Sequence, residues 1–171
     1  TYDPSILTDA GYDDYSAFFK DGNSSNQAIT VAIIDSGIKT DNMDSSINQA
    51  RIKTDTVYDF YDDEKSNTDE NGHGTEMAEI LLSRTPENVS VLPIKAVGAN
   101  GKGTVLSVYL SIEAAISAKA DVINISLSDI GNSPLLQKAI EDAYDANIPV
   151  VVAAGNDSKD CKEYIPANID K

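Results

Sequence analysis

The sequence predicts an α/β domain, a three-layer sandwich with a mostly parallel central sheet. Three observations carry that expectation. Four short runs are apolar and rich in β-branched residues: Ile29–Ile34, Val89–Ile94, Asp121–Ile125 and Ile148–Ala153. Near-continuous apolarity over about 5–6 residues suits strands covered on both faces. Between the runs lie apolar residues at helical spacing, and strands alternating with helices of about 10–15 residues build βαβ units. At 171 residues, 41% of them hydrophobic, the chain can bury one sizeable core. No repeat or linker divides it, so residues 1–171 read as a single domain.

In chain order, Thr1–Lys20 is a helix candidate carrying several Tyr and Phe, expected to pack on the outside, and Asp21–Asn26 is a loop. Ile29–Ile34 is the first strand. Asp41–Asn71 has no strong periodicity and holds the acidic, Asn-rich stretch Asp62–Asn71. It reads as surface loop with one short strand near Arg51–Val57. Thr75–Ser83 places Met77, Ala78, Leu81 and Leu82 at helical spacing, with Thr75 able to cap the helix. After the strand Val89–Ile94, the segment Thr104–Ala118 forms a second helix through Leu106, Val108, Leu110, Ile112, Ala115 and Ile116. Asp121–Ile125 is the third strand. Pro134–Ala146 is a third helix, with Ser133 as N-cap and Pro134 at the first helical position. Ile148–Ala153 completes the set.

Charge narrows the function classes. Thirteen basic against 28 acidic residues give a net charge of −15, which argues against nucleic acid, because that binding needs Lys and Arg to neutralise phosphates. The acidic surface is either simply solvated or steers basic ligands. No apolar run approaches the roughly 20 residues that span a bilayer, so no membrane partner is expected. The start at Thr1 rather than Met reads as loss of an upstream segment, a signal or a pro-segment. Cys161 is the single cysteine, so no intrachain disulfide forms; a small buried hydrophobe is the expectation.

Three positions carry chemistry. Asp35 ends the first apolar run and Ser36-Gly37 then turns the chain, at the strand end where α/β sheets gather function. A turn aspartate binding its own backbone is the alternative. His73, the chain's one histidine, stands between Gly72 and Gly74 just before a helix. The glycines allow close approach, and the positive end of the helix would lower the imidazole pKa and keep it neutral, as a general base requires. A hydrogen-bonded structural histidine is the alternative. The spacing to Glu76 and Glu79 matches no recognised metal set, so no metal is expected. Gly155-Asn156 follows the last strand, where an amide N–H can meet charge developing on a substrate oxygen; a plain turn is the alternative. Gly98–Thr104 (GANGKGT) fails the phosphate-loop pattern, because Gly103 rather than Ser or Thr follows Lys102. It reads as a glycine loop able to lie beside an extended peptide, and no cofactor is implied.

Together VAIIDSGI, NGHGTEMA, the stretch from Gly98 to Leu127 and VVVAAGND resemble, in order, the motifs of the subtilisin-like serine peptidases, the subtilases. The resemblance covers roughly residues 29 to 171. It implies a subtilisin-like fold and hydrolysis of peptide bonds through a Ser-His-Asp triad. It implies His73 as general base and acid, Asp35 as the group holding its tautomer, and Asn156 as oxyanion donor. Lys102, Gly103 and Thr104 would pair with substrate backbone as an added strand, and Ser126, Leu127 and Ser128 would rim the primary specificity pocket. It also makes a secreted or cell-surface location the expectation.

The chain departs from the family in four places. Ser128-Asp129 stands where glycines are usual, and Glu76 and Glu79 replace other residues after His-Gly-Thr. The segment from Ser83 to Val89 is too short for the calcium loop of subtilisin-type members. No serine has the Gly-Thr-Ser setting of the nucleophile, which is expected beyond Lys171. The sequence therefore reads as the amino-terminal portion of a catalytic domain, incomplete at the carboxyl side and inactive alone. A complementary carboxyl-terminal part or a second copy is the expected partner, beside a peptide or protein substrate. The rival function is a pseudoprotease or peptide-binding scaffold on the same fold.

Overall fold

A computed structural model describes residues 27–55, 58–62, 66 and 68–169. The helix expected over Thr1–Lys20 and the loop Asp21–Asn26 lie outside these residues. The core is a four-stranded parallel sheet of β1 (Ile29–Asp35), β2 (Val89–Lys95), β3 (Val122–Ile125) and β5 (Val150–Val152), in the order β2-β1-β3-β5. A two-residue antiparallel pair, β4 (Asp129–Ile130) with β6 (Tyr164–Ile165), lies apart from it. Strands that short leave no periodic signature, and the sequence did not announce them.

Helix α1 (His73–Arg84) joins β1 to β2, α2 (Val105–Ser117) joins β2 to β3, and α3 (Pro134–Asp145) lies between β4 and β5. The path moves outward one way from β1 to β2, then back past β1 to β3 and β5. Right-handed crossovers therefore put α1 on one face and the other two helices on the opposite face. The alternation of β1 fits: Ala32 and Ile34 join Ile112, Ala115, Ala139 and Ala143, whereas Val31 and Ile33 join Ala78 and Leu82. The reversal of strand order falls between β1 and β3, and the crevice at their carboxyl ends is where such sheets bind ligands.

The helix caps are partly as expected. Ser133 Oγ accepts from Leu136 N, with Pro134 opening α3. Thr104 caps α2 through a reciprocal box with Ser107. Thr75 does not cap α1. That helix begins two residues earlier, at His73, with Gly72 at the N-cap in the left-handed region at φ 98°.

Three further expectations are corrected. The short strand over Arg51–Val57 reduces, among the described residues, to single bridges from Ile52 to Val91 and from Asp59 to Lys95, because Gln49–Arg51 coils into a 3₁₀ turn. Cys161 is exposed rather than buried, in a 3₁₀ turn ahead of β6. β5 is not covered on both faces: α3 packs one side, but Val151 points to the other and is 55% exposed.

Candidate active site

Because the sheet is parallel, its carboxyl edge gathers the residues that come after each strand. Asp35 ends β1, the loop 96–104 follows β2, Ser126 to Ser128 follow β3, and Gly155-Asn156 follow β5.

The centre is Asp35 with His73. Nδ1 of His73 lies 2.9 Å from each carboxylate oxygen of Asp35. Asp35 is 1% exposed, and its Oδ1 also accepts from Ser36 N at 2.8 Å. A carboxylate facing Nδ1 holds the proton there, leaving Nε2 of the neutral ring as the acceptor. The contact depends on Gly74. A Cβ at that position would sit 2.2 Å from Gly37 O and 3.2 Å from Asp35 Cβ, so only glycine lets the first turn of α1 meet the end of β1. Gly72 is needed for another reason: its positive φ, with open space around it.

The electrostatics reverse one expectation. The pKa of His73 is raised above its usual 6.5 rather than lowered. The hydrogen bond that His73 donates to Asp35 is the main cause, partial burial opposes it, and the negative charges of Asp35, Glu76 and Asp69 add to the rise. A paired carboxylate in contact outweighs the partial charge of a helix terminus.

Asp69 is the residue that local reading missed. It sits at the end of the supposed surface loop, yet it is 5% exposed. Its Oδ1 accepts from Ser36 Oγ (2.8 Å), Asn71 N (3.0 Å) and Gly72 N (2.8 Å). Its Oδ2 accepts from Thr75 N (3.0 Å) and Thr75 Oγ1 (2.6 Å). Burial alone would raise its pKa, but these hydrogen bonds hold it below the usual carboxylate value. The available signal was an aspartate two and three residues before Asn71 and Gly72, the spacing of a side chain that caps its own turn.

Beside this centre lies an open pocket of about 440 Å³. Lys102, Gly103, Thr104, Leu127 and Ser128 line it, with Ile125 and Leu136 among the apolar walls and Asp129 among the polar ones. Ser126 is not in its lining; its Oγ accepts from Asn124 Nδ2 at 2.9 Å. Neither His73 nor Asn156 lines it. Gly103 pairs with Val97 in a single antiparallel bridge, and a Cβ there would sit 2.4 Å from Ala96 O. Thr104 spends both backbone groups on the α2 cap, N donating to Ser107 Oγ and O accepting from Val108 N. The N–H and C=O of Gly103 make no hydrogen bond among the described residues.

Asn156 is exposed at the carboxyl end of β5. Gly155 before it adopts φ 95°, and the Tyr164 ring lies where a Cβ would stand, 3.1 Å away. Tyr164 donates to Asp157 Oδ2 at 2.8 Å, bracing the same turn. Among the described residues no cluster of acidic, His or Cys side chains could hold a metal ion.

The model of the subtilase family matches residues 26–171. The chain is 37% identical over 136 residues to subtilisin DY of Bacillus licheniformis, covering 75% of this chain and 47% of that protein. It is 31% identical over 149 residues to the minor extracellular protease Epr of Bacillus subtilis (strain 168), covering 81% and 22%. A crystal structure of a cold-adapted subtilisin-like serine proteinase superposes with a TM-score of 0.74 at 26% identity, over 86% of this chain and 54% of that one. The chain thus spans less than half the length of these two curated relatives.

Proposed function

This chain belongs to the subtilase family, and on that premise we propose that it is the part of a serine endopeptidase that carries Asp35, His73 and Asn156 but not the nucleophilic serine. One observation carries the reading: the imidazole Nδ1 stands 2.9 Å from both oxygens of a carboxylate buried to 1% exposure. That geometry leaves Nε2 able to take a proton from a hydroxyl. No serine of the chain has the Gly-Thr-Ser setting of the family's nucleophile, and among the described residues no serine hydroxyl hydrogen-bonds His73; both support a nucleophile carried elsewhere in the complete protein.

In the complete enzyme the serine oxygen attacks the scissile carbonyl carbon as His73 Nε2 takes its proton. The amide of Asn156 donates to the oxyanion. The tetrahedral adduct collapses, the amine leaves with the proton from His73, and water then hydrolyses the acyl-enzyme by the same steps. Asp35 stabilises the imidazolium throughout. The substrate lies extended along Lys102, Gly103 and Thr104, hydrogen-bonded to the free N–H and C=O of Gly103, with Ser126, Leu127 and Ser128 opposite. A complementary carboxyl-terminal part, or a second copy, covers the open side of β5. Secretion fits the extracellular relative Epr.

The test uses a fluorophosphonate probe and a chromogenic peptide on the whole protein and on these 171 residues alone. The whole protein should label and turn over, and the isolated chain should do neither. Labelling of the isolated chain would refute the missing nucleophile. An unlabelled whole protein that still binds peptide would replace the enzyme with a binding scaffold.

A further inference from the structure

We propose that Asp69 is a positioning residue for the reaction, holding the His73 loop against the end of β1 so that the imidazole meets Asp35. The inference rests on the peptidase reading for its effect on rate, but its geometry stands apart from it.

The His73 backbone is tied from both sides. Immediately before it, Asn71 N and Gly72 N donate to Asp69 Oδ1. Two residues after it, the N–H and hydroxyl of Thr75 donate to Oδ2. The third tie runs to the other member of the pair. Gly74 N donates to Ser36 Oγ at 3.0 Å, and Ser36 Oγ donates to Asp69 Oδ1 at 2.8 Å. Ser36 is the residue next to Asp35, so one carboxylate fixes the residues flanking both partners. The bond from Lys39 N to Thr75 Oγ1 extends the same tie past Gly37.

The carboxylate is chemically necessary. All five donors reach it as N–H or O–H, and an ionised carboxylate is acceptor-only with room for about four lone pairs. An amide of the same shape must turn its NH₂ toward either the Thr75 pair or the Asn71 and Gly72 pair. Two donors at the Thr75 side, or three at the other where Ser36 Oγ joins Asn71 N and Gly72 N, then lose their acceptor in a buried place. Asp69 touches no reacting atom in this scheme; it works through the orientation of His73.

The experiment uses Asp69→Asn and Ser36→Ala in the whole protein. Asp69→Asn should lower kcat about 10- to 100-fold, the scale of a misplaced catalytic group, with KM changed less than about twofold. The His73 titration, followed by imidazole NMR, should move down toward 6.5 as contact with Asp35 loosens. Asp69 also acts on His73 as a charge, together with Asp35 and Glu76. Ser36→Ala separates the two effects, because it keeps every charge and breaks only the hydroxyl tie. A smaller shift in the same direction is expected there. A folded Asp69→Asn protein with unchanged kcat and titration would overturn the proposal. So would a shift confined to Asp69→Asn that salt removes. If Asp69→Asn does not fold, Ser36→Ala alone decides. A wild-type protein that fails to react with the probe would sink the peptidase reading while the NMR arm still tests the tie.

Discussion

Helix α1 is anchored by a buried charge at each end, and the two anchors serve different purposes. At its amino end Asp69 collects five donors. At its carboxyl end Arg51, 7% exposed, spends its guanidinium on acceptors. Nε donates to Val89 O (2.7 Å), Nη1 to Leu82 O (2.8 Å), and Nη2 to Thr85 Oγ1 (2.7 Å) and Pro86 O (2.9 Å). An anion at the start and a cation at the end both complement the helix dipole. Both satisfy helix-terminal groups that burial would otherwise orphan. Yet one end lies at the carboxyl edge of the sheet, beside Asp35, and the other at the start of β2. The same electrostatic device fixes the residues beside the His73–Asp35 pair at one end and the start of β2 at the other.

That contrast is open to attack from the Arg51 side first. Arg51→Met should lower stability by about 3 kcal/mol, since four acceptors lose their charged donor. Denaturant unfolding reads it, and the His73 titration should stay where it was. A shift in that titration comparable to the one caused by Asp69→Asn would dissolve the distinction between the ends. Gly74→Ala should cost less, about 1–3 kcal/mol for the overpacked contact with Gly37 O. Its loss should be local, so kcat falls further than stability alone explains. A variant of unchanged kcat would mean that the helix start and Asp35 need not touch.

The smallest effect is the pH dependence. A raised imidazole pKa means that the neutral base appears only above 6.5, so kcat/KM of the whole protein should climb with pH on that side. The folded pKa lies above the unfolded one. The His73 contribution to stability is therefore full below 6.5 and fades as pH rises through the folded value. Activity and this stabilisation move oppositely. Asp35→Asn should draw the titration downward, and a wild-type His73 titrating below 6.5 would contradict the pairing.

Much of this was legible in the residues. The four strand runs, the spacing of all three helices within the described residues and the Ser133 cap follow local rules, and the structure keeps them. Asp35 and His73 stood out because glycine and apolar neighbours frame them. Asp69 and Arg51 did not, because nothing local marks a charged residue as buried. Their partners lie as far as 33 and 38 positions away, and only the fold brings them in. The start of α1 was misjudged for a related reason: Thr75 carries a capping side chain, but that side chain is already claimed by Asp69. The direction of the His73 shift likewise needed the contact distance, which no spacing supplies.

The bare side of β5 has a practical corollary. This strand is the last in the sheet among the described residues, and Val151 faces water beside it. Hiding the exposed half of one valine is worth roughly 1 kcal/mol, and an outermost strand also offers main-chain groups to any neighbour. These residues on their own thus offer a neighbour both an apolar contact and an unpaired strand, and cooling, which weakens apolar attraction, loosens only the first of the two.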